Sequence, residues 1–127
     1  KDIIHTWDLL KIRIHYFAAH LVPTASIVIH LANRYGDTIL LLSTSPDSNL
    51  QMRVEPGLHL IDCIIQQLPL AGGEYVFGCG MAIPNTEWLF KNFNLAKLSV
   101  MPKDVYFSGL APQYPRTLLA VPHQWIL

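Results

Sequence analysis

From Leu10 to Tyr16 the chain alternates, with apolar Leu10, Ile12, Ile14 and Tyr16 separated by Lys11, Arg13 and His15. Period two predicts a half-buried strand with one wet face. Val22-Pro23-Thr24 is expected to break it. A second strand is predicted from about Ala25 to Ala32, with Ile27, Ile29 and Leu31 on one face and Ser26, Val28 and His30 on the other. Asn33 to Asp37 then reads as a turn, with Gly36 at its positive-φ position. The unbroken run Ile39-Leu40-Leu41-Leu42 predicts a third strand, Thr38 to Thr44, covered on both sides. Short strands follow at Gln51 to Glu55 and Leu58 to Leu68, then Tyr75 to Ile83 and Ala96 to Met101. Residues Glu87 to Phe93 read as a helical turn or a structured loop. Short strands with frequent turn signals and little helical periodicity indicate a β-sandwich.

Between the fifth and sixth of these strands lies Leu68-Pro69-Leu70-Ala71-Gly72-Gly73-Glu74-Tyr75. Pro69 cannot donate to a ladder, and paired glycines admit positive φ, so the stretch predicts a turn. Symmetric pairing about Ala71 would set Cys63 opposite Cys79, Ile65 opposite Phe77 and Ile61 opposite Met81. Directly opposed cysteines on paired strands strain a disulfide, so two buried thiols are expected.

The chain has 127 residues, enough for a single domain with a real core. Nine Lys and Arg balance nine Asp and Glu, which gives no electrostatic case for nucleic acid or an anionic membrane. With only 14% charged residues, some apolar surface is expected to be covered by another subunit. Lys1-Asp2-Ile3-Ile4-His5 is already close to a strand pattern and carries no initiating Met or secretory signal. An excised domain of a longer protein is expected.

Candidate chemistry is sparse. No phosphate loop is present, because neither Gly72-Gly73 nor Gly78-Cys79-Gly80 is followed by the required lysine. The second trio reads instead as small residues where another backbone or side chain comes close. No Gly-x-Ser-x-Gly elbow occurs. Cys63 and Cys79 sit in apolar patterns unsuited to a nucleophile. The six histidines show no metal-binding spacing; His15 and His30 could share a wet sheet face, where surface histidines are the plainer reading. Asp62 and Glu74 are the only acids in defined strand positions, and nothing marks them as a catalytic pair. No metal and no cofactor is expected. Trp88 stands near Asn85, Glu87, Lys91 and Asn92. An aromatic among amides and charges suits a sugar, whose C–H face stacks on the ring while its hydroxyls need donors and acceptors. The plainer reading is a loop tryptophan capping the sandwich.

The ordered set Ile12-Arg13-Ile14-His15-Tyr16, Ile27-Val28-Ile29, Asn33-x-x-Gly36, Pro56-Gly57, Leu68-Pro69-Leu70-x-x-Gly73-Glu74-Tyr75, Trp88, Ala96-x-x-Ser99-Val100 and His123-x-Trp125 resembles one family. It is the C-terminal domain of the ATP-binding subunit of polysaccharide ABC exporters, the Wzt type. Ala71-Gly72 replaces the Leu-Pro that often follows the leucine-proline-leucine there. The resemblance implies an immunoglobulin-like, jelly-roll-like antiparallel β-sandwich joined to an ATPase domain at the cytoplasmic face of the inner membrane. It implies non-catalytic binding of an O-antigen or similar lipid-linked glycan, or of its terminal modification, which couples chain completion to export. The implied partners are the glycan, the transmembrane exporter subunit and a second copy, paired by exchange of a C-terminal strand at about Leu118 to Leu127.

For such a glycan the residues offer Arg13, His15, Ser26 and His30 on a polar sheet face, with Arg13 suited to a phosphate or an acidic sugar. Asp62 and Gln66 stand on the wet side of the fifth strand, and Trp88 and Asn92 could flank a groove. A structural dimerisation sandwich without a ligand is the alternative. A small sugar-processing enzyme using Asp62 and Glu74 is a third reading.

Overall fold

Strand β2, Leu10–Ala18, keeps the predicted alternation: Ile12, Ile14 and Tyr16 are half-buried, while Lys11, Arg13 and His15 are exposed. The computed structural model describes residues 3–127; the predicted N-terminal strand pattern began at Lys1 and Asp2, which lie outside the described residues. The other strands are β1 Ile4–His5, β3 Val22–Asn33, β4 Thr38–Ser43, β5 Met52–Val54, β6 Gly57–Ile65, β7 Gly73–Ile83 and β8 Glu87–Met101. The fold is an all-β sandwich. One sheet has the order β1-β8-β7-β3-β4, with β5 also pairing β3; β2 and β6 form the other.

The larger sheet is mixed, not wholly antiparallel as expected, because β1 runs parallel to β8, with Ile4 opposite Val100. Val22-Pro23-Thr24 does not interrupt the chain but opens β3. The ladder with β5 shifts register between Val22 and Ala25, a bulge that accommodates a proline without an N–H to give. The helical turn or loop expected at Glu87 to Phe93 is instead the first half of β8. No Gly or Pro falls between Thr86 and Pro102, and β1 is only two residues long, so among the described residues most of β8 has no neighbour on that side. Such an edge tolerates Asn92 and Asn94.

The hairpin about Ala71 is not formed. β6 pairs β2, whereas β7 pairs β3, with Cys79 opposite Ile29 and Met81 opposite Ile27. Both cysteines are free thiols; Cys79 is buried, but Cys63 is only half-buried. Leu68-Pro69-Leu70-Ala71 is a buried crossing between the sheets, not a surface turn. Leu68, Leu70 and Ala71 are fully buried, whereas a turn would have faced water.

By internal packing the chain divides into two units. The first comprises the N-terminal segment to Ile12, Asp62–Glu74 and Ser99–Leu127. Its core is the Leu68–Ala71 crossing, which is satisfied by loops. Leu68 N–H donates to Asp8 O, Trp7 N–H to Leu68 O, Ala71 N–H to Leu118 O and Ala120 N–H to Pro69 O. Gly72 is packed where a Cβ would meet the Pro102 ring at 2.8 Å. Residues 121–127 are exposed and form no strand. The second unit comprises Arg13–Ile61 and Tyr75–Leu98. Its core is β3, buried from Ala25 to Asn33 on both faces, with Val54 and Tyr75. No helix among the described residues is long and apolar enough to cross a membrane.

Candidate functional site

Two features of the second unit could receive a ligand. The first is an aromatic platform on β8. Gly78 and Gly80 of β7 lie opposite His30 and Val28 of β3. A Cβ on Gly78 would stand 2.1 Å from the Phe93 Cα, and one on Gly80 would stand 2.7 Å from Trp88 Cζ3. The close approach expected at this glycine pair is therefore present, and it lays β8 over β7. The Phe93 ring stacks on the His30 imidazole, with centroids 4.2 Å apart. Trp88 meets the edge of Phe93 at 5.8 Å and 90°. Lys91 Nζ lies 5.2 Å from the Trp88 ring and 5.0 Å from the Phe93 ring, within cation–π range of both. Trp88 remains 44% exposed, so a fixed ring is offered to solvent. Exposed Asn85, Asn92 and Asn94 lie nearby in sequence, and Asn92 Oδ1 accepts from Asn94 N–H at 3.0 Å.

His30 belongs to the platform's foundation, not to its surface. It is 7% exposed, and its Nε2 shares a 2.8 Å hydrogen bond with Thr38 Oγ1. Its Nδ1 has no partner among the described residues. Burial, then the Lys91 ammonium, holds the imidazole below its ordinary range.

The second feature is an open cavity of about 920 Å³ between β2 and the inner face of β3 and β7. Ile27, Phe77 and Met81 form one wall, and β2 forms another. Leu89, Phe90 and Leu95 form a lip and stay 43%, 51% and 44% exposed. Burial pushes the Cys79 thiol on this wall up from its ordinary value.

The residues singled out from the sequence separate. Arg13 and His15 are exposed on β2 and line the cavity. Ser26 is buried and donates its Oγ hydrogen to Ser45 O at 2.6 Å, so it is already engaged. The polar face expected from Ser26 and His30 is therefore covered by protein. His15 and His30 stand in different sheets and do not share a face. Asp62 and Gln66 are exposed and belong to the first unit, as does Glu74, whose carboxylate accepts the Ser99 hydroxyl. Trp88 and Asn92 both lie on β8. Among the described residues no cluster of His, Cys, Asp or Glu could hold a metal ion. The sequence places Lys91 beside Trp88 but does not single out Phe93 as its companion. The unbroken run from Glu87 to Met101 was the available signal.

No protein-family model matches the chain, and no curated protein matches it in sequence. Among solved structures it is similar to the crystal structure of the C-terminal domain of Wzt, with a TM-score of 0.77 at 11% identity. The match covers 98% of this chain and 73% of that one. The two share a fold.

Proposed function

We propose that this chain is a non-catalytic carbohydrate-binding domain of a polysaccharide exporter. It binds a bacterial O-antigen-type glycan on the Trp88 platform. The observation that carries this reading is the indole itself, seated over Gly80, braced by Phe93 and still half-exposed. A pyranose stacks its C–H face on such a ring, and amides supply paired donors and acceptors for its hydroxyls. Lys91 adds a cation for an acidic or phosphorylated sugar. The fold shared with a Wzt C-terminal domain supports the exporter context. In that context a parent protein carries the ATPase at the cytoplasmic face of the inner membrane and engages a transmembrane subunit.

Binding of the domain to a panel of bacterial polysaccharides, with and without their terminal groups, tests the reading. One glycan bound by the wild type and lost in Trp88→Ala supports it. A glycan bound equally by both moves the site elsewhere.

One observation favours a dimerisation role, alone or alongside glycan binding. Trp125, Ile126 and Leu127 are 86%, 88% and 120% exposed at the end of the tail. Three apolar side chains held in water suit exchange with a second copy.

A further inference from the structure

Strand β8 is 15 residues long, and β1 covers it only at Val100 and Met101. Among the described residues, its side away from β7 therefore meets no strand from Trp88 to Leu98. An open row of backbone N–H and C=O groups of this length is a template for another strand. Edges that stay single are commonly short or carry a proline, and β8 is neither short nor interrupted by one. In mid-strand, Asn94 N–H donates to the Asn92 side chain at 3.0 Å, a local acceptor where a neighbouring strand would supply a carbonyl. Leu89, Phe90 and Leu95 stay close to half exposed along it.

The residues of the strand select what covers it. A two-fold antiparallel pair sets one residue opposite itself and the rest opposite residues equally far beyond the axis. Centred on Asn92, β8 is self-complementary. Glu87 stands opposite Lys97 of the second copy, Leu89 opposite Leu95, and Lys91 opposite Phe93, each pair occurring twice. Asn92 meets its own copy, and a primary amide both donates and accepts. Neighbouring registers lose this match. Centring on Lys91 sets that ammonium opposite itself, centring on Asn94 sets Lys91 against Lys97, and centring on Phe93 leaves Lys97 opposite Leu89. Glu87 and Lys97 are exposed, and among the described residues neither forms an ion pair within the chain.

We propose that β8 pairs edge to edge with β8 of a second copy, antiparallel and centred on Asn92. This interface uses no residue of the tail and does not rest on the polysaccharide reading.

Sedimentation equilibrium of the full chain over a range of concentrations should show monomer and dimer in exchange. Glu87→Lys and Lys97→Glu should each weaken the dimer by about tenfold or more, because each sets like charges opposite one another twice. The double variant Glu87→Lys with Lys97→Glu restores opposite signs, and its affinity should return to within about threefold of wild type. Both positions are exposed, and circular dichroism checks that each variant folds. Amide exchange from Leu89 to Leu95 should slow as protein concentration rises through the transition. The dimer should survive removal of residues 122–127. A folded wild type that stays monomeric at every concentration overturns the proposal and leaves Lys91 and Lys97 as charges that keep the edge single. A dimer indifferent to both single reversals, or one that the double reversal fails to restore, also overturns it. So does a dimer lost with residues 122–127, which assigns assembly to the tail.

Discussion

The imidazole of His30 lies parallel to the ring of Phe93, their planes 5° apart and their centroids 4.2 Å apart. This stack holds the first half of β8 against β3, and β3 is buried on both faces. Its consequence is a pH dependence. The folded protein keeps His30 neutral, because burial and Lys91 lower its affinity for a proton. The unfolded chain binds that proton near the ordinary value of about 6.5. Stability is therefore full above this value and falls as pH drops through it, since the unfolded state then binds more protons. Urea unfolding at stepped pH from 7.5 to 5 should show the decline, and His30→Gln should flatten it. A slope unchanged in His30→Gln would assign the dependence to other groups.

Gly78 is expected to be the least replaceable glycine. A methyl group there meets the Phe93 backbone at 2.1 Å, and backbone cannot rotate away. Gly78→Ala should cost about 3 kcal/mol or more, through overpacking and loss of the His30 stack. Gly36→Ala meets open space and suffers only from its φ of +90°, so it should cost about 1 kcal/mol. Thermal unfolding of the two variants side by side checks the order.

Tyr75 is 1% exposed, and burial pushes its phenol up to about 12. Its folded value lies above the unfolded one near 10, so the stability it contributes is complete below about pH 10 and is lost as pH rises toward 12. Burial also raises the Tyr16 phenol, but absorbance at alkaline pH should show a last step, at about 12, that is missing in Tyr75→Phe.

The tail separates a dimer role from a folding role. Ala71 N–H donates to Leu118 O and Ala120 N–H donates to Pro69 O, so residues 118–120 belong to the first unit's own core. Deleting Leu118 to Leu127 would damage that core whether or not copies exchange strands. Deleting only residues 122–127 leaves these bonds in place. If exchange occurs, this shorter protein should sediment as a monomer with its thermal midpoint held within a few degrees. A dimer that survives the deletion contradicts exchange.

Local structure was legible in the sequence where period two was clean. Leu10–Tyr16 alternates on paper and in space, whereas Gly57–Ile65 alternates only in burial, with Leu58, Leu60 and Ile64 exposed and His59 half-buried. Partners were less legible. The pattern of β6 fits either β7 or β2, because alternation sets which face is buried but not which strand lies beside it. The buried Leu68–Ala71 crossing resembles a turn in composition, and only its burial and its hydrogen bonds to the tail distinguish the two. For the same reason the functional residues were partly legible. Trp88 stood out by composition, and Gly78 and Gly80 by their smallness. His30 was placed on the wrong side of the water boundary because β8, read there as a loop, is the strand that covers it.

If Trp88 stacks on a sugar, calorimetric titration with a bacterial polysaccharide bound by the domain should separate wild type from Trp88→Phe and Trp88→Ala. Wild type should bind saturably, Trp88→Phe more weakly and Trp88→Ala at least about tenfold more weakly, with folding retained. Equal affinity in all three folded proteins would contradict stacking on Trp88.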